Sequence, residues 1–354
     1  MRLTRGHRLT GPARYPTFAG EIVMRPSEAN APTPSVVTPG NYDGVHLGHR
    51  ALVSTAQQVA RQSSSSQPRL DSPLRVVALT FDPHPMRFIA PDRAPALLTT
   101  VARRIELLEA AGADEVVVQT FDREFSLLSP ADFVEQILVR KLNARAVVVG
   151  RDFRFGAQRA GDVQLLEQLG APHGIAVTTV PPVTLEGELV SSSHVRSALM
   201  RGEVERAARM LTRVHELERK VVHGFHRGRT IGFPTANLEL VGLLAPADGV
   251  YAVSVRVLDE SAPGQRASLS ASRYLGVANL GVRPTVQGGR SMEVHLLDFS
   301  GDLYERTLRV GFVARLRGEL KFPDIEALKA QIARDVLAGR VALQDCDPSL
   351  LAWI

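Results

Sequence analysis

The chain has 354 residues, enough for two domains of ordinary size, and its 44% hydrophobic and 22% charged content fits globular units with real cores. Cys346 is its single cysteine, which excludes an intrachain disulfide and is compatible with a reducing cytoplasm; no apolar run approaches a membrane span. The net charge of +5, from 42 Lys and Arg against 37 Asp and Glu, reads as a solvated arginine-rich surface or as attraction for phosphorylated ligands, while 5% aromatics and no base-stacking motif argue against a nucleic-acid binder.

Residues 1–35 carry Arg2, Arg5, Arg8 and Arg14 with several prolines and no periodicity, so a disordered leader is expected there. Val36-Val-Thr38 then reads as the end of a buried strand, and Leu52, Val53, Ala56, Val59 and Ala60 recur at helical spacing. Gly40, Gly44 and Gly48 therefore fall on a strand-to-helix turn, where outward amides and the helix dipole favour an anion. His46 and His49, three apart, share one side of a first helical turn. Two imidazoles there could donate to charge building on a polyphosphate.

Short apolar runs at Val76–Thr80, Val116–Val118, Ala146–Val149 and Ile175–Val177 alternate with helical patterns over 48–61, 101–111 and 131–142. That alternation predicts an α/β unit with a doubly wound parallel sheet and ligands at the carboxyl ends of its strands. Ser63–Ser66 reads as a surface loop without function. Polar residues gather at the strand ends: Phe81-Asp-Pro-His-Pro85, Gly150–Gly156 with Asp152, and Ser191-Ser-Ser-His-Val-Arg196 opening a helix through Leu199. Hydroxyls followed by an arginine at a helix start suit triphosphate oxygens, although a simple N-cap explains the serines taken alone. His84 alone reads more readily as structural than as catalytic.

A boundary is expected near Thr212. Strands then dominate: 214–222, Gly249–Val257, Tyr274–Leu280, Met292–Leu297 and Thr307–Phe312, with a polar loop over 259–272. Pro323 opens a helix with one stripe of Ile325, Leu328, Ile332 and Val336, ending by Gly339. Strands followed by a helix predict a small antiparallel β-barrel with a C-terminal helix against it. Gly224-Phe-His-Arg-Gly228 belongs to a glycine-spaced basic loop in which Gly224, Arg227 and Gly228 could approach phosphates. Thr235 and Asn237 alternate by two, so both oxygens could face a hydrated Mg²⁺. Glu293 sits among apolar strand residues, where a carboxylate is either salt-bridged or kept as a general base.

Gly40-Asn-Tyr-Asp-Gly-Val-His-Leu-Gly-His49 resembles the phosphate-binding signature of the nucleotidyltransferase superfamily. With Thr80–Pro85, Gly150–Gly156 and Ser191–Arg196 it resembles the adenylyltransferase half of bacterial bifunctional riboflavin kinase/FAD synthetase. Gly224–Leu238, Pro246–Tyr251, Leu280–Thr285, Glu293–Tyr304 and Leu316–Phe322 resemble the riboflavin kinase half. After the expected leader over 1–35, the resemblance implies an FMN adenylyltransferase domain over 36–212 and a riboflavin kinase domain over 213–354. It implies FMN from riboflavin and ATP, then FAD from FMN and a second ATP, with Mg²⁺ as cofactor and no membrane or nucleic-acid partner. His46 and His49 would stabilise phosphate charge beside the ATP-binding residues Gly40, Asp43, Gly44, Asp152, Ser192, Ser193 and Arg196. Gly224, Arg227, Gly228, Thr235 and Asn237 would bind the other ATP, the last two also the metal, and Glu293 would act as base. Departures are Pro39 for an aliphatic residue, Asp152 for asparagine, Leu189 for arginine, Ser193 for threonine and His226 for glycine. The competing readings are one working half only, or a flavin-binding regulator whose sites have decayed.

Overall fold

The computed structural model describes residues 33–66, 74–223, 232–240, 242–258, 269–282 and 290–352. Five parallel strands, β1 (Ser35–Pro39), β2 (Arg75–Asp82), β3 (Glu115–Thr120), β4 (Ala144–Gly150) and β5 (Ala176–Val180), lie in the order β3-β2-β1-β4-β5. The order reverses between β1 and β4, the place where open α/β sheets hold ligands.

Alternate residues of these strands feed two separate cores, which is why each strand reads as an unbroken apolar run. Val36, Val76, Ala78, Ala146 and Val148 meet α1 (Leu47–Ser66) and, after α2 (Pro85–Ile89), α3 (Val101–Ala110) through Val53, Ala56, Leu107 and Leu108. Val37, Val77, Leu79, Val147 and Val149 face the other way. There they meet Phe133, Ile137 and Leu138 of a helix with wide π turns, Phe133–Lys141, and Leu166 of α6 (Val163–Gly170). That π helix follows α4 (Arg123–Ser126) and α5 (Pro130–Asp132). α1 continues through Ser66, so the loop expected at Ser63–Ser66 is helix.

A small hairpin, β6 (Thr184–Leu185) with β7 (Glu188–Leu189), precedes α7 (Ser192–Met200) and α8 (Val204–Leu211). Thr212 caps α8 in the left-handed conformation, φ 58°, and the chain enters β8 (His215–Val222). With β9 (Ala236–Glu239), β10 (Gly249–Leu258), β11 (Leu269–Val282), β12 (Arg290–Leu296) and β13 (Thr307–Arg317) it closes an antiparallel barrel, ordered β10-β11-β12-β9-β8-β13. Strand replaces the expected loop from Leu269 onward; residues 259–268 lie outside the described residues. Leu217, Leu238, Val253, Met292 and Phe312 belong to a core cluster that also holds Val195, Leu199, Met210 and Leu211 from α7 and α8. The barrel therefore shares a core with the two helices that lead into it.

The C-terminal helix, α9 (Ile325–Gln344), runs past Gly339, and the expected stripe marks its packed face only in part, with Leu328, Ile332 and Val336 half-buried. Ile325 is exposed, and the buried residues are Asp335, Gly339 and Leu343. Asp335 is held by two-pronged hydrogen bonds from Arg317, 2.7–3.1 Å. At Gly339 a Cβ would stand 3.0 Å from Val277 Cγ2, so the missing side chain allows the helix its close approach.

Candidate active sites

The first site grows out of the turn after β1. Tyr42 (φ 52°), Gly44 (φ 88°) and Val45 (φ 41°) all adopt positive φ, a strained path for the two residues other than glycine. Tyr42 pins it by hydrogen bonds between its phenol and Thr38, 2.7 Å to the hydroxyl and 2.9 Å to the carbonyl. A Cβ on Gly44 would lie 2.7 Å from Leu98 Cδ1, so glycine is needed for space as well as for φ. Gly48 is not in the turn but is the second residue of α1, where a Cβ would press on the His46 ring at 3.2 Å.

His46 and His49 stack with ring centroids 3.6 Å apart and planes 19° from parallel. The Nδ1 atoms of both are buried without a hydrogen-bond partner. Burial first, then the guanidiniums of Arg213 and Arg196, pushes the His46 imidazole down to about 4. His49 is held well below the ordinary value by burial, then by His46, Arg104, Arg196 and Arg213. Both rings are therefore neutral at neutral pH, each with one N–H to donate and one lone pair to accept. A negative charge beside them would raise both values, and a neutral ring still offers one N–H to a phosphate oxygen.

A cavity of about 770 Å³ opens over the switch point, lined by Gly40, His46, His49 and Asp152 among others. Its other wall is aromatic. Phe81, Phe121, Phe125, Phe133, Phe153 and Phe155 line it, and Phe81, Phe121 and Phe125 touch at centroid distances of 5.6–5.9 Å. A ligand with a flat aromatic part and a phosphorylated tail matches both walls. His84, in the turn after β2, caps α2 by accepting from Met86 N at 3.2 Å, and burial pushes it down to about 4.

Asp43, Gly44, Ser192, Ser193 and Arg196 do not line the cavity wall. The Asp43 carboxylate is buried, accepts from Leu98 N (2.9 Å) and Thr99 N (3.2 Å), and pairs with Arg196. Ser192 Oγ donates to Asp43 O at 2.8 Å. Arg196 also donates to Ala96 O at 2.9 Å. Ser191 is the N-cap of α7, accepting from His194 N at 3.3 Å, and Ser193 is exposed. So Asp43, Ser192 and Arg196 brace the turn to α7 and to the segment before α3.

The second site lies on the outer face of the barrel. Asn237, Glu293 and Asn279 stand in one row across β9, β12 and β11. The next row, Leu238, Met292 and Leu280, is fully buried inside, so the polar row points outward. Asn237 is 9% exposed and Glu293 half-buried, and Thr235 precedes Asn237 by two residues. Glu293 makes no ion pair among the described residues, which leaves the general-base reading open. Gly224, Arg227, Gly228 and His226 lie outside the described residues.

Sequence reasoning missed Tyr42, the aromatic wall, Arg104 and Arg213. The signal for Arg104 was present: it occupies the apolar stripe of α3 between Val101 and Leu108 and is 1% exposed. Arg213, 3% exposed, lies where the lobes meet. There Arg103 of α3 donates to Glu216 of β8 at 2.6 and 3.1 Å, Arg213 lies 3.6 Å from Glu216, and Leu244 N donates to Leu97 O at 2.8 Å.

The FAD synthetase family matches residues 28–194 and the riboflavin kinase family residues 211–343. The chain is 40% identical over 306 residues to the bifunctional riboflavin kinase/FMN adenylyltransferase of Escherichia coli strain K12, covering 86% of this chain and 91% of that one. It is 41% identical over 307 residues to the protein of that name from Pseudomonas fluorescens, covering 86% and 92%. A crystal structure from Streptococcus pneumoniae, titled as a macrolide-efflux protein, superposes with a TM-score of 0.75 at 31% identity over 88% of this chain and 96% of that one. No described helix is long and apolar enough to cross a membrane.

Proposed function

Because the chain belongs to the family of bifunctional riboflavin kinase/FMN adenylyltransferases, we propose that its two sites act in turn on one flavin, with the lobes dividing near Thr212. The barrel lobe phosphorylates riboflavin to FMN with ATP, and the α/β lobe adenylylates FMN to FAD with a second ATP, releasing pyrophosphate.

In the α/β lobe an FMN phosphate oxygen attacks the α-phosphorus of ATP while the bond to pyrophosphate breaks. No proton transfer and no covalent enzyme intermediate is required; alignment and electrostatics carry the step. The stacked His46 and His49, with their unpartnered buried nitrogens beside the cavity, are the observation that carries this reading. They donate to charge moving onto the leaving pyrophosphate, and each such donor is worth about 3 kcal/mol of barrier, roughly a hundredfold in rate. Gly40 and Asp152 border the nucleotide on the cavity wall, and the phenylalanines receive the flavin ring. Asp43, Gly44, Ser192 and Arg196 serve the same ATP by fixing the turn, and the exposed Ser193 completes the assignment as a direct contact.

In the barrel lobe Glu293 takes the proton from the ribityl hydroxyl as that oxygen attacks the γ-phosphorus, and ADP leaves. Asn237 offers a hard oxygen donor in the same outward row as Glu293, and Thr235 stands two residues before it; that donor type suits Mg²⁺ arriving on the nucleotide. Bound there, a divalent cation would neutralise phosphate charge. Gly224, Arg227 and Gly228 complete the assignment as contacts to that ATP.

Incubating the protein with riboflavin, excess ATP and Mg²⁺ and separating the products tests the reading. FMN followed by FAD is expected. Binding of flavin with neither product would instead favour a regulator, and FMN without FAD would leave only the barrel site working.

A further inference from the structure

We infer that Arg104 is a positioning residue for adenylyl transfer, locking the phosphate turn to the end of β2 and supplying the fixed positive charge against which the triphosphate settles. This rests on the α/β-lobe site as read above and assigns it a residue outside the sequence motifs.

A guanidinium as deeply buried as Arg104 ordinarily carries a carboxylate partner. Arg104 has none within ion-pairing distance among the described residues. Its Nη1 donates to Thr80 Oγ1 and to Phe81 O, both at 3.1 Å, and its Nε is buried with no acceptor. Asp43, the buried carboxylate in its electrostatic surroundings, is already engaged by Arg196 and two amides. The positive charge is thus enclosed in protein with no ion-pair partner among the described residues, offset only by the more distant Asp43 and the exposed Asp82.

Its hydrogen bonds lead to the site. Thr80 Oγ1, which accepts from Arg104, donates in turn to Asn41 O at 3.1 Å. Asn41 belongs to the turn that presents His46 and lines the cavity, as does the ring of Phe81. One side chain on α3 therefore holds both the phosphate turn and the flavin wall. A triphosphate over that turn brings Arg104 a negative charge that no ion pair supplies. A buried, preoriented cation also needs no reorganisation as charge shifts onto pyrophosphate. Its field already reaches the imidazoles. Burial is the main cause that holds His49 and His84 low; to it Arg104 adds for His49, with His46, Arg196 and Arg213, and for His84, with Arg196 and Arg87 against the opposing pull of Asp43.

The test uses the full chain, in which riboflavin phosphorylation reports that the protein is folded. Arg104→Met removes charge and donors, Arg104→Lys keeps the charge, and Thr80→Val breaks only the link to Asn41. We expect Arg104→Met to lower kcat for FAD formation about tenfold or more, as for loss of a preoriented charge, with the KM for FMN and the kinase rate little changed. NMR titration of the His49 and His84 imidazoles should move upward in Arg104→Met, and stay in place in Arg104→Lys and Thr80→Val. A strut with no electrostatic part would leave those titrations unmoved. Wild-type kcat in Arg104→Met, or unmoved imidazoles there, overturns the inference. If Arg104→Met also loses kinase activity, wild-type FAD formation in both Arg104→Lys and Thr80→Val overturns it. His49→Ala is the separate control: full FAD formation in that variant would sink the site assignment itself, whatever Arg104 does.

Discussion

Glu216→Gln should destabilise the protein by about 2–4 kcal/mol at pH 7, through the arginines it leaves behind. The Glu216 side chain is 2% exposed, takes both Nε and Nη2 of Arg103, and lies 3.6 Å from Nε of Arg213. Those two side chains are 7% and 3% exposed, so solvent cannot screen them once the carboxylate is gone. Breaking a buried pair by removing one partner costs about 3–5 kcal/mol. The glutamine oxygen still accepts one hydrogen bond, which restores about 1 kcal/mol. The loss is read from the shift in urea midpoint at constant slope, followed by far-UV circular dichroism. The sign with pH follows. Burial alone would raise the Glu216 carboxyl, but Arg103 and then Arg213 outweigh it and hold it below its ordinary 4.5. Its contribution is therefore present above about pH 4.5 and fades as pH falls through the lower folded-state value. A double-mutant cycle with Arg103→Met should give a coupling of about 2 kcal/mol. A midpoint shift worth under about 0.5 kcal/mol, or strict additivity in the cycle, would refute the account.

His46→Ala combined with His49→Ala should abolish measurable FAD formation and leave FMN formation within about twofold, at roughly a hundredfold or more per donor removed. Glu293→Ala should do the reverse when FMN is supplied; both activities vanishing together in a folded variant would contradict separate sites. Gly44→Ala should cost about 2–4 kcal/mol, from left-handed φ and the contact with Leu98; an unchanged melting temperature would show that the turn relaxes freely. Burial pushes His46, His84 and His215 each down to about 4. Their neutral form favours the folded state above the unfolded value of 6.5, and that contribution should drain away between pH 6.5 and about 4. Urea midpoints measured across that window check it, and a flat profile would count against buried neutral rings.

The strands of the α/β lobe were legible because parallel strands covered on both faces leave apolar runs that no helix pattern imitates. Besides β8, four of the barrel strands were legible as apolar stretches, but β9 was not among them, and the alternation over Tyr251–Val257 does not divide inside from outside, because Ala252 and Ser254 are as buried as the valines. For α9 the apolar stripe marked the packed face, with Leu328, Ile332 and Val336 half-buried, but not its most buried positions. Its seam runs through Asp335 and Gly339, a carboxylate made tolerable by Arg317 and a glycine that lets the backbone touch Val277, and neither carries a hydrophobic signal. The histidine pair could be read from its spacing. The brace behind it could not, because Arg196 and Asp43 are 153 residues apart and meet only in the folded chain.

The same distinction explains how the two lobes bear on each other. Arg103 and Arg104 are neighbours on one turn of α3, yet they point to different partners: one to Glu216 on the barrel, the other to Thr80 and Phe81 beside the cavity. The ion pair to the barrel and the brace on the end of β2 therefore leave the same turn of one helix, with no loop between them. Arg213 adds a second route, since it neighbours Glu216 and its charge also lowers His46. If this is how the lobes communicate, Glu216→Gln should lower FAD formation at fixed, fully folded protein, although Glu216 belongs to a strand of the kinase barrel. A Glu216→Gln protein that is less stable but adenylylates FMN at the wild-type rate would confine the network to stability alone.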